Sequence, residues 1–365
     1  MEFGHLKVFD AFAFPTVVIF SKERPNTKKI FSISEREIRG KIDDTSLETI
    51  REALASFHEF IRTEGFFISK SSLTEEWAVE RPEIQEIVHK MELRGKQLAQ
   101  KLEASIYRGI TTGFNDAYIL NELEYNEIKA YEPQSLKYLF PLLRGRYVQR
   151  WTPAWDNSYI LILENSFSEK THSWSGHSES EAFEILLSGH PLIAKRLASH
   201  EKSLRKRTDR GYYWWELRPC KYYEAFRLPK IAWGKYGSSP RFYFDDQGFI
   251  NLNTIYFFNT DKKWILPILN SSLSYFYSLL RFNVVKDGFI EYTSSSIGRF
   301  PIPTPTPEQA RRLEGFTDDS RLSELNALVY ELYGLNAGEI ALVEELTAGA
   351  YGAASAEAEA EGEEE

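Results

Sequence analysis

An α+β fold is what this sequence predicts, and three observations carry the expectation. From Tyr107 to about Pro305, short runs rich in β-branched and aromatic residues alternate with Gly, Pro, Asn and Asp. Amphipathic stretches at Glu179 to Leu204 and Leu266 to Leu280 interrupt those runs with helical spacing. Helical periodicity also flanks the region on both sides, and no internal repeat is present.

Residues 8 to 20, VFDAFAFPTVVIF, read as one or two buried strands that end at a polar turn, Ser21 to Pro25. Strands need partners, yet few strand-like segments follow for eighty residues, so this start belongs to the edge or remnant of a larger sheet. Residues 45 to 62 place Leu47, Ile50, Leu54, Phe57 and Ile61 on one helical face behind a Thr45 or Ser46 cap. Pro82 opens a second helix that the spacing of Ile84, Ile87, Val88, Met91, Leu98 and Leu102 carries to about Leu102. The strand-rich body then runs through GITTGFNDAYIL, PLLRGRYVQRW, SYILILEN, LPKIAWGKYG, RFYFDD and FINLNTIYFF to a proline-rich exit, PIPTPTPEQ. Beyond it, Leu322, Leu325, Leu328, Val329 and Leu332 share a helical face within Ser320 to Leu346, and AEAEAEGEEE reads as a disordered acidic tail. The expected units are 1–40, 41–105, 106–310, 311–347 and 348–365.

The single cysteine, Cys220, excludes an intrachain disulfide and a four-thiolate zinc site, as expected in a reducing cytosol. No apolar run reaches the roughly 20 residues that span a bilayer, and Met1 to Phe20 lacks signal-peptide order. The expected location is cytoplasmic, with no membrane partner. Against a net charge of −9, the stretch Leu192 to Arg241 holds thirteen Lys and Arg and four acids, a local +9, interleaved with aromatics from Tyr212 to Tyr236. Cations neutralise a phosphate backbone and rings stack on bases, so double-stranded DNA is the expected partner. A solvated basic helix followed by buried strands gives the same composition.

Three motifs localise that chemistry. In GITTGFNDAYIL, Gly109 and Gly113 let the Thr111-Thr112-Gly113 turn approach a ligand backbone, and Asn115 offers an amide to a base edge; a hairpin turn explains the glycines equally. In Leu143 to Arg150, Arg144, Arg146 and Arg150 with Tyr147 surround Gly145 and suit phosphate or guanine, or else an exposed strand. Arg205, Lys206 and Arg207, followed by Arg210, Lys221, Arg227, Lys230, Lys235 and Tyr236, extend the cationic surface, although basic residues also complement a helix C-terminus. Assigned to phosphates, Arg144, Arg146, Arg150, Arg205, Lys206 and Arg207 set register while a few side chains read bases.

Other chemistries find less. There is no Gly-x-Gly loop after a strand, no phosphate loop, no adjacent prolines and no Gly-x-Ser-x-Gly elbow. His172, His177 and His190 lack zinc-ligand spacing. Asp116 followed by Glu127-Ile128-Lys129 has the order of a metal nuclease, an alternative that chance spacing also produces. A protein-interaction or decoy subunit is a third class.

The co-linear set IYRGITTGFNDAYIL, LLRGRYVQRW, WWELRPCKYYEAFRLPKIAW, ILNSSLSYFYSLL and RFPIPTP, over roughly residues 70 to 310, resembles the TaqI-like C-terminal specificity domain of adenine-specific DNA methyltransferases and fused restriction-modification enzymes. The opening strands resemble the end of the catalytic domain that precedes such a spacer. The resemblance implies a mixed target-recognition domain that grips the duplex and chooses the sequence. It places the cofactor loop and the catalytic Asn-Pro-Pro-Tyr motif ahead of Met1, so S-adenosylmethionine and a methyltransferase chain are expected as partner components, with no cofactor, metal or catalytic residue here.

Overall fold

The computed structural model describes residues 29–32, 66–69, 80–102, 105–166, 172–285 and 289–348. The expected strands at 8 to 20, the helix at 45 to 62 and the acidic tail after Ala348 lie outside the described residues. Within them the fold is α+β.

Eight short strands form two four-stranded sheets. They are β1 (Ile106–Arg108), β2 (Ile119–Leu120), β3 (Leu139–Leu143), β4 (Tyr159–Leu161), β5 (Lys230–Gly234), β6 (Phe242–Asp245), β7 (Ile250–Asn251) and β8 (Ile255–Asn259). The first sheet has the order β6-β5-β8-β1 and is antiparallel throughout. The second has the order β7-β3-β4-β2, with β7 parallel to β3 and the other pairs antiparallel.

Both faces of the first sheet are covered, which is why its strands are continuous apolar runs. Because side chains alternate between faces, Ile231, Trp233, Phe242, Tyr256 and Phe258 enter one core while Ala232, Tyr243, Ile255 and Phe257 enter the other. The first of these cores is completed by helix α1 (Pro82–Arg94) and by helices from the chain's later third. The second core holds the second sheet and the aromatic run Tyr213, Trp214 and Trp215.

The helices are more broken than periodicity suggests. α1 stops at Gly95, whose extended backbone leads Lys96–Gln97 into pairing with Pro301–Ile302, so Leu98–Leu102 becomes a separate turn of helix. After α2 (Glu122–Tyr131), the expected helix at 179 to 204 is three: α3 (Glu179–Gly189), α4 (Pro191–Ser199) and α5 (Glu201–Lys206). Pro191 denies His190 the helical conformation, and His190 takes φ −141°. Leu266 to Leu280 divides at Asn270, with Ser271 capping α6 (Ser272–Arg281). Ser320 to Leu346 divides at Gly334, whose φ of +64° ends α7 (Leu322–Tyr333), and Asn336 caps α8 (Ala337–Thr347).

At the α3–α4 break, buried Ser135 lies 2.5 Å from Nδ1 of buried His190 and bonds Glu132, whose other oxygen accepts the Leu192 amide at 2.6 Å. Burial, and then Lys137, push His190 below the ordinary imidazole range; burial likewise depresses His172, stacked on Trp174. A depressed histidine pKa means that the unfolded chain takes up the proton first. Stability is therefore complete above the unfolded value, about 6.5, and declines as pH falls through it. The double variant His172→Phe, His190→Asn is expected to lose less melting temperature than the parent between about pH 7.5 and about pH 5.5. Parallel melting curves for the two proteins across that window would remove these imidazoles as the cause.

Candidate nucleic-acid interface

The two sheets meet at one turn. Asn251 ends β7 in the second sheet and Ile255 begins β8 in the first, so Leu252 to Ile255 is the corner between them. The Ile255 amide bonds Leu252 O at 2.9 Å and closes a β-turn.

Three segments close on this corner, and two of them approach it through a glycine. A Cβ on Gly109 would lie 1.9 Å from Leu252 O and 2.5 Å from Asn251 O, so only glycine lets this strand end touch the turn. A Cβ on Gly145 would lie 2.6 Å from the Thr254 hydroxyl. The third segment, after β5, enters through the Lys235 amide, which bonds Thr254 O at 2.8 Å. Ile110 N to Asn251 O at 2.8 Å, Gly109 N to Ile255 O at 2.8 Å and Arg108 Nε to Asn253 O at 2.7 Å complete the clamp. Between the clamped elements lies a concavity of about 300 Å³ lined by Ile110 to Asn115 and Leu252 to Thr254.

Several sequence-predicted residues are brought together here. Thr111 and Asn115 line the concavity, Arg144, Arg146 and Tyr147 belong to the Gly145 turn, and Lys235 and Tyr236 lie on the third segment. Arg144 reaches Ser158 Oγ at 3.3 Å while its Nε is buried without a hydrogen-bond partner, and Arg146 lies over the Tyr147 ring. Lys235 bonds the Tyr236 hydroxyl at 2.6 Å and Glu291 at 3.1 Å, contacts that hold its ammonium above the ordinary lysine value. Exposed Lys206 and Arg210 flank the Thr112-Gly113 turn through their neighbours: Gly113, at φ +71°, is placed against Asp209 and Arg207. Three contributors went unmarked in the sequence: Arg108, Asn253 and Thr254. Asn253 and Thr254 lie inside a run read as strand, and only the crossing between sheets makes them a turn.

Other assignments need correction. Arg207 is buried, and its guanidinium donates to Thr112 O at 2.7 Å, Trp214 O at 2.8 Å, Glu216 O at 2.9 Å and Leu204 O at 3.3 Å. It cannot also reach a phosphate. Lys230 has a relative exposure of 0% and sits 2.5 Å from the Asp245 carboxylate and from Phe226 O. It starts β5, whereas the corner lies beyond Gly234 at the other end, about 13 Å away along the strand. Arg227 lies near that far end, over the Phe140 ring and beside Glu224. Arg150 bonds Asn270 O and lies 3.1 Å from Asp319, joining β-rich body to C-terminal helices. Thr112 is buried, and its hydroxyl donates to Asn115 Oδ1 at 2.7 Å and accepts Phe114 N at 3.2 Å. Arg205 stays exposed, in ion pairs with Glu179 at 2.6 Å and Glu201 at 2.7 Å, as Lys235 is paired with Glu291. Lys221 needs no such correction: it is exposed, on the segment before Tyr222, whose hydroxyl bonds Arg108 O at 3.0 Å.

The aromatic run is also not a stacking platform. Tyr213 and Trp215 stack on each other at 4.7 Å in the core, wrapped around buried Glu216, which accepts from Trp174 Nε1 and Tyr213 N. Tyr212 and Tyr236 are the members of the Tyr212 to Tyr236 set that stay exposed, at 56% and 36%. The nuclease-like pattern does not assemble: Glu127 and Lys129 lie on α2, and residues two apart on a helix point about 200° apart. Among the described residues no group of three or more His, Cys, Asp or Glu could hold a metal, and no helix is long and apolar enough to cross a membrane.

No curated protein sequence matches the chain. Among solved structures, the Type IIL restriction-modification enzyme MmeI, determined in complex with DNA, is similar at 15% identity and a TM-score of 0.48, covering 78% of this chain and 39% of that one. The type IIG restriction endonuclease BpuSI is similar at 14% identity and a TM-score of 0.44, covering 87% of this chain and 39% of that one. The chain thus spans 39% of the length of each of these enzymes. The family signal falls on the part of the chain that contains the Gly145 turn, the aromatic core and the Leu252 corner: residues 140–302 match the TaqI-like C-terminal specificity domain, the family that the sequence motifs resemble.

Proposed function

We propose that this chain is a sequence-specific DNA target-recognition module of an adenine-specific methyltransferase or restriction-modification assembly, with the sheet corner as its DNA face. The observation that carries the reading is the convergence of the segments bearing Arg108, Arg144, Arg146 and Lys235 on one hydrogen-bond-clamped turn, at Leu252 to Ile255, inside the stretch that matches the specificity domain. Cations on fixed backbone engage phosphates and set register, and polar side chains within the concavity meet base edges. Clamping of the duplex from this side would help an adenine leave the stack in a partner's active site.

Catalysis and cofactor are assigned to a partner methyltransferase domain or chain. What supports this is the use made of the glycines between β1 and the short helix Asn115–Tyr118: Gly109 gives way to Leu252, and Gly113 to Arg207 and Asp209, so they do not open a cradle for S-adenosylmethionine.

Replacement of Arg108, Arg144 and Arg146 together by alanine is expected to weaken binding to every duplex. The log–log slope of affinity against salt should also fall by about 3, near 0.9 per lost phosphate contact. The check is a fluorescence titration of short duplexes over a salt series. A parent protein with no duplex affinity, or one whose affinity ignores salt, would reject the DNA reading in favour of an apolar protein interface.

A further inference from the structure

We propose that Asn253 is the principal base-reading residue of the corner and that it takes the major-groove edge of an adenine; this rests on the DNA-binding reading above. A side-chain amide carries one acceptor and one donor group in the spacing of adenine N6 and N7, an adjacent donor and acceptor that no other single base presents on its major-groove edge. Two asparagines line the concavity. The Asn115 oxygen already accepts the Thr112 hydroxyl at 2.7 Å, a bond that holds the 111–115 turn in shape. At Asn253 the hydrogen bond goes to the backbone carbonyl, from Arg108, and among the described residues none is made to the side-chain amide.

Position and rigidity add to chemistry. Asn253 is the second residue of the Leu252–Ile255 turn, half-buried and lining the concavity. The turn is held from four sides, by Leu143 O to the Leu252 amide at 3.4 Å, by Gly109 and Ile110, by Lys235 and by Arg108. A reading group needs such fixed backbone, because looseness of even a fraction of an ångström blurs discrimination between base edges. The adjacent Thr254 hydroxyl is buried without a hydrogen-bond partner, and Thr111, lining the same concavity, has a hydroxyl to offer beside the amide. Arg108 bonds the tip at Asn253 O, and the turn that carries Arg144 and Arg146 packs on Thr254 through Gly145, so phosphate contacts from those arginines would bring the amide down into the groove.

The test is selection of bound duplexes from a random pool by the full chain and by its Asn253→Ala, Asn253→Asp and Asn115→Ala variants. The parent is expected to yield a consensus containing an A·T pair at which Asn253→Ala loses discrimination, by roughly 5- to 100-fold at that position. Other positions and the salt slope should stay as in the parent. Asn253→Asp, an acceptor only, should shift the same position away from adenine, and Asn115→Ala should keep the adenine preference. An unchanged consensus for both Asn253 variants would overturn the assignment while leaving DNA binding intact. So would a uniform loss of affinity with the consensus preserved, the mark of a phosphate contact. If the parent itself binds no duplex, the functional reading fails first, and that outcome is distinguishable from the other two.

Discussion

Arg207→Ala is expected to remove roughly 3–5 kcal/mol of folding stability, as loss of a buried side chain that makes several charge-assisted hydrogen bonds does. The guanidinium ties Leu204 and Thr112 to Trp214 and Glu216, which joins α5, the 111–115 turn and the aromatic core through one side chain. It also lies over the Tyr118 ring, with 5.1 Å between the guanidinium carbon and the ring centroid. Removal takes this donor from four carbonyls; Glu216 O keeps the Gly211 amide and Leu204 O the Arg207 amide, but Thr112 O and Trp214 O lose the guanidinium, at about 1–3 kcal/mol each where water cannot enter, and a void opens where the planar group lay. The total is less than the sum because the turn can relax, but it is large against a typical domain stability of about 5–15 kcal/mol. Arg207→Lys should recover little, since one ammonium cannot span carbonyls that a five-donor fork reaches. Lys206→Ala, one residue away and exposed, should change stability by no more than about 0.5 kcal/mol. Urea denaturation of the three variants is the check. Arg207→Ala with the parent's midpoint would show that the guanidinium is not structural and would reopen it as a phosphate ligand.

Gly109→Ala should be the most damaging small change at the interface. Its methyl group would stand 1.9 Å from Leu252 O and 2.4 Å from the carbonyl carbon, and both are backbone atoms that no rotamer change can move. The Ile110–Leu252 bridge must open, and with it the junction of the two sheets. Overpacking of this kind typically costs about 1–3 kcal/mol; loss of the corner should add a fall in duplex affinity beyond the stability effect. Gly145→Ala meets mainly the Thr254 hydroxyl at 2.6 Å, which can rotate away, so its effect should be smaller. Gly189→Ala meets nothing within 4 Å at the end of α3 and should be neutral or slightly stabilising. The order Gly109, Gly145, Gly189 in both melting temperature and duplex affinity is the expected result. Equal melting of the Gly109 and Gly189 variants would sink the clamped-corner account.

The sequence by itself determined the fold class, the strand-rich body, the family resemblance and the two glycine-bearing motifs. These are local signals: side-chain period, turn residues and residue order survive without knowledge of what packs on what. Helix breaks at His190, Asn270 and Gly334 were partly readable in Pro191, Ser271 and Asn336, because caps and prolines act on their own neighbourhood. Tertiary structure alone decided which cations face solvent. A run of thirteen Lys and Arg is one number in the sequence, yet burial places Arg207 and Lys230 among carbonyls and a carboxylate while Lys206 and Arg210 remain outside. Tertiary structure also decided what the glycines are for. Gly109 and Gly145 are 36 residues apart in the chain and make room for the same turn, at Leu252 and Thr254 respectively. Close approach of backbone to backbone is a long-range steric fact with no local signature, and it converts an ordinary strand segment, Asn251 to Ile255, into the tip of the interface.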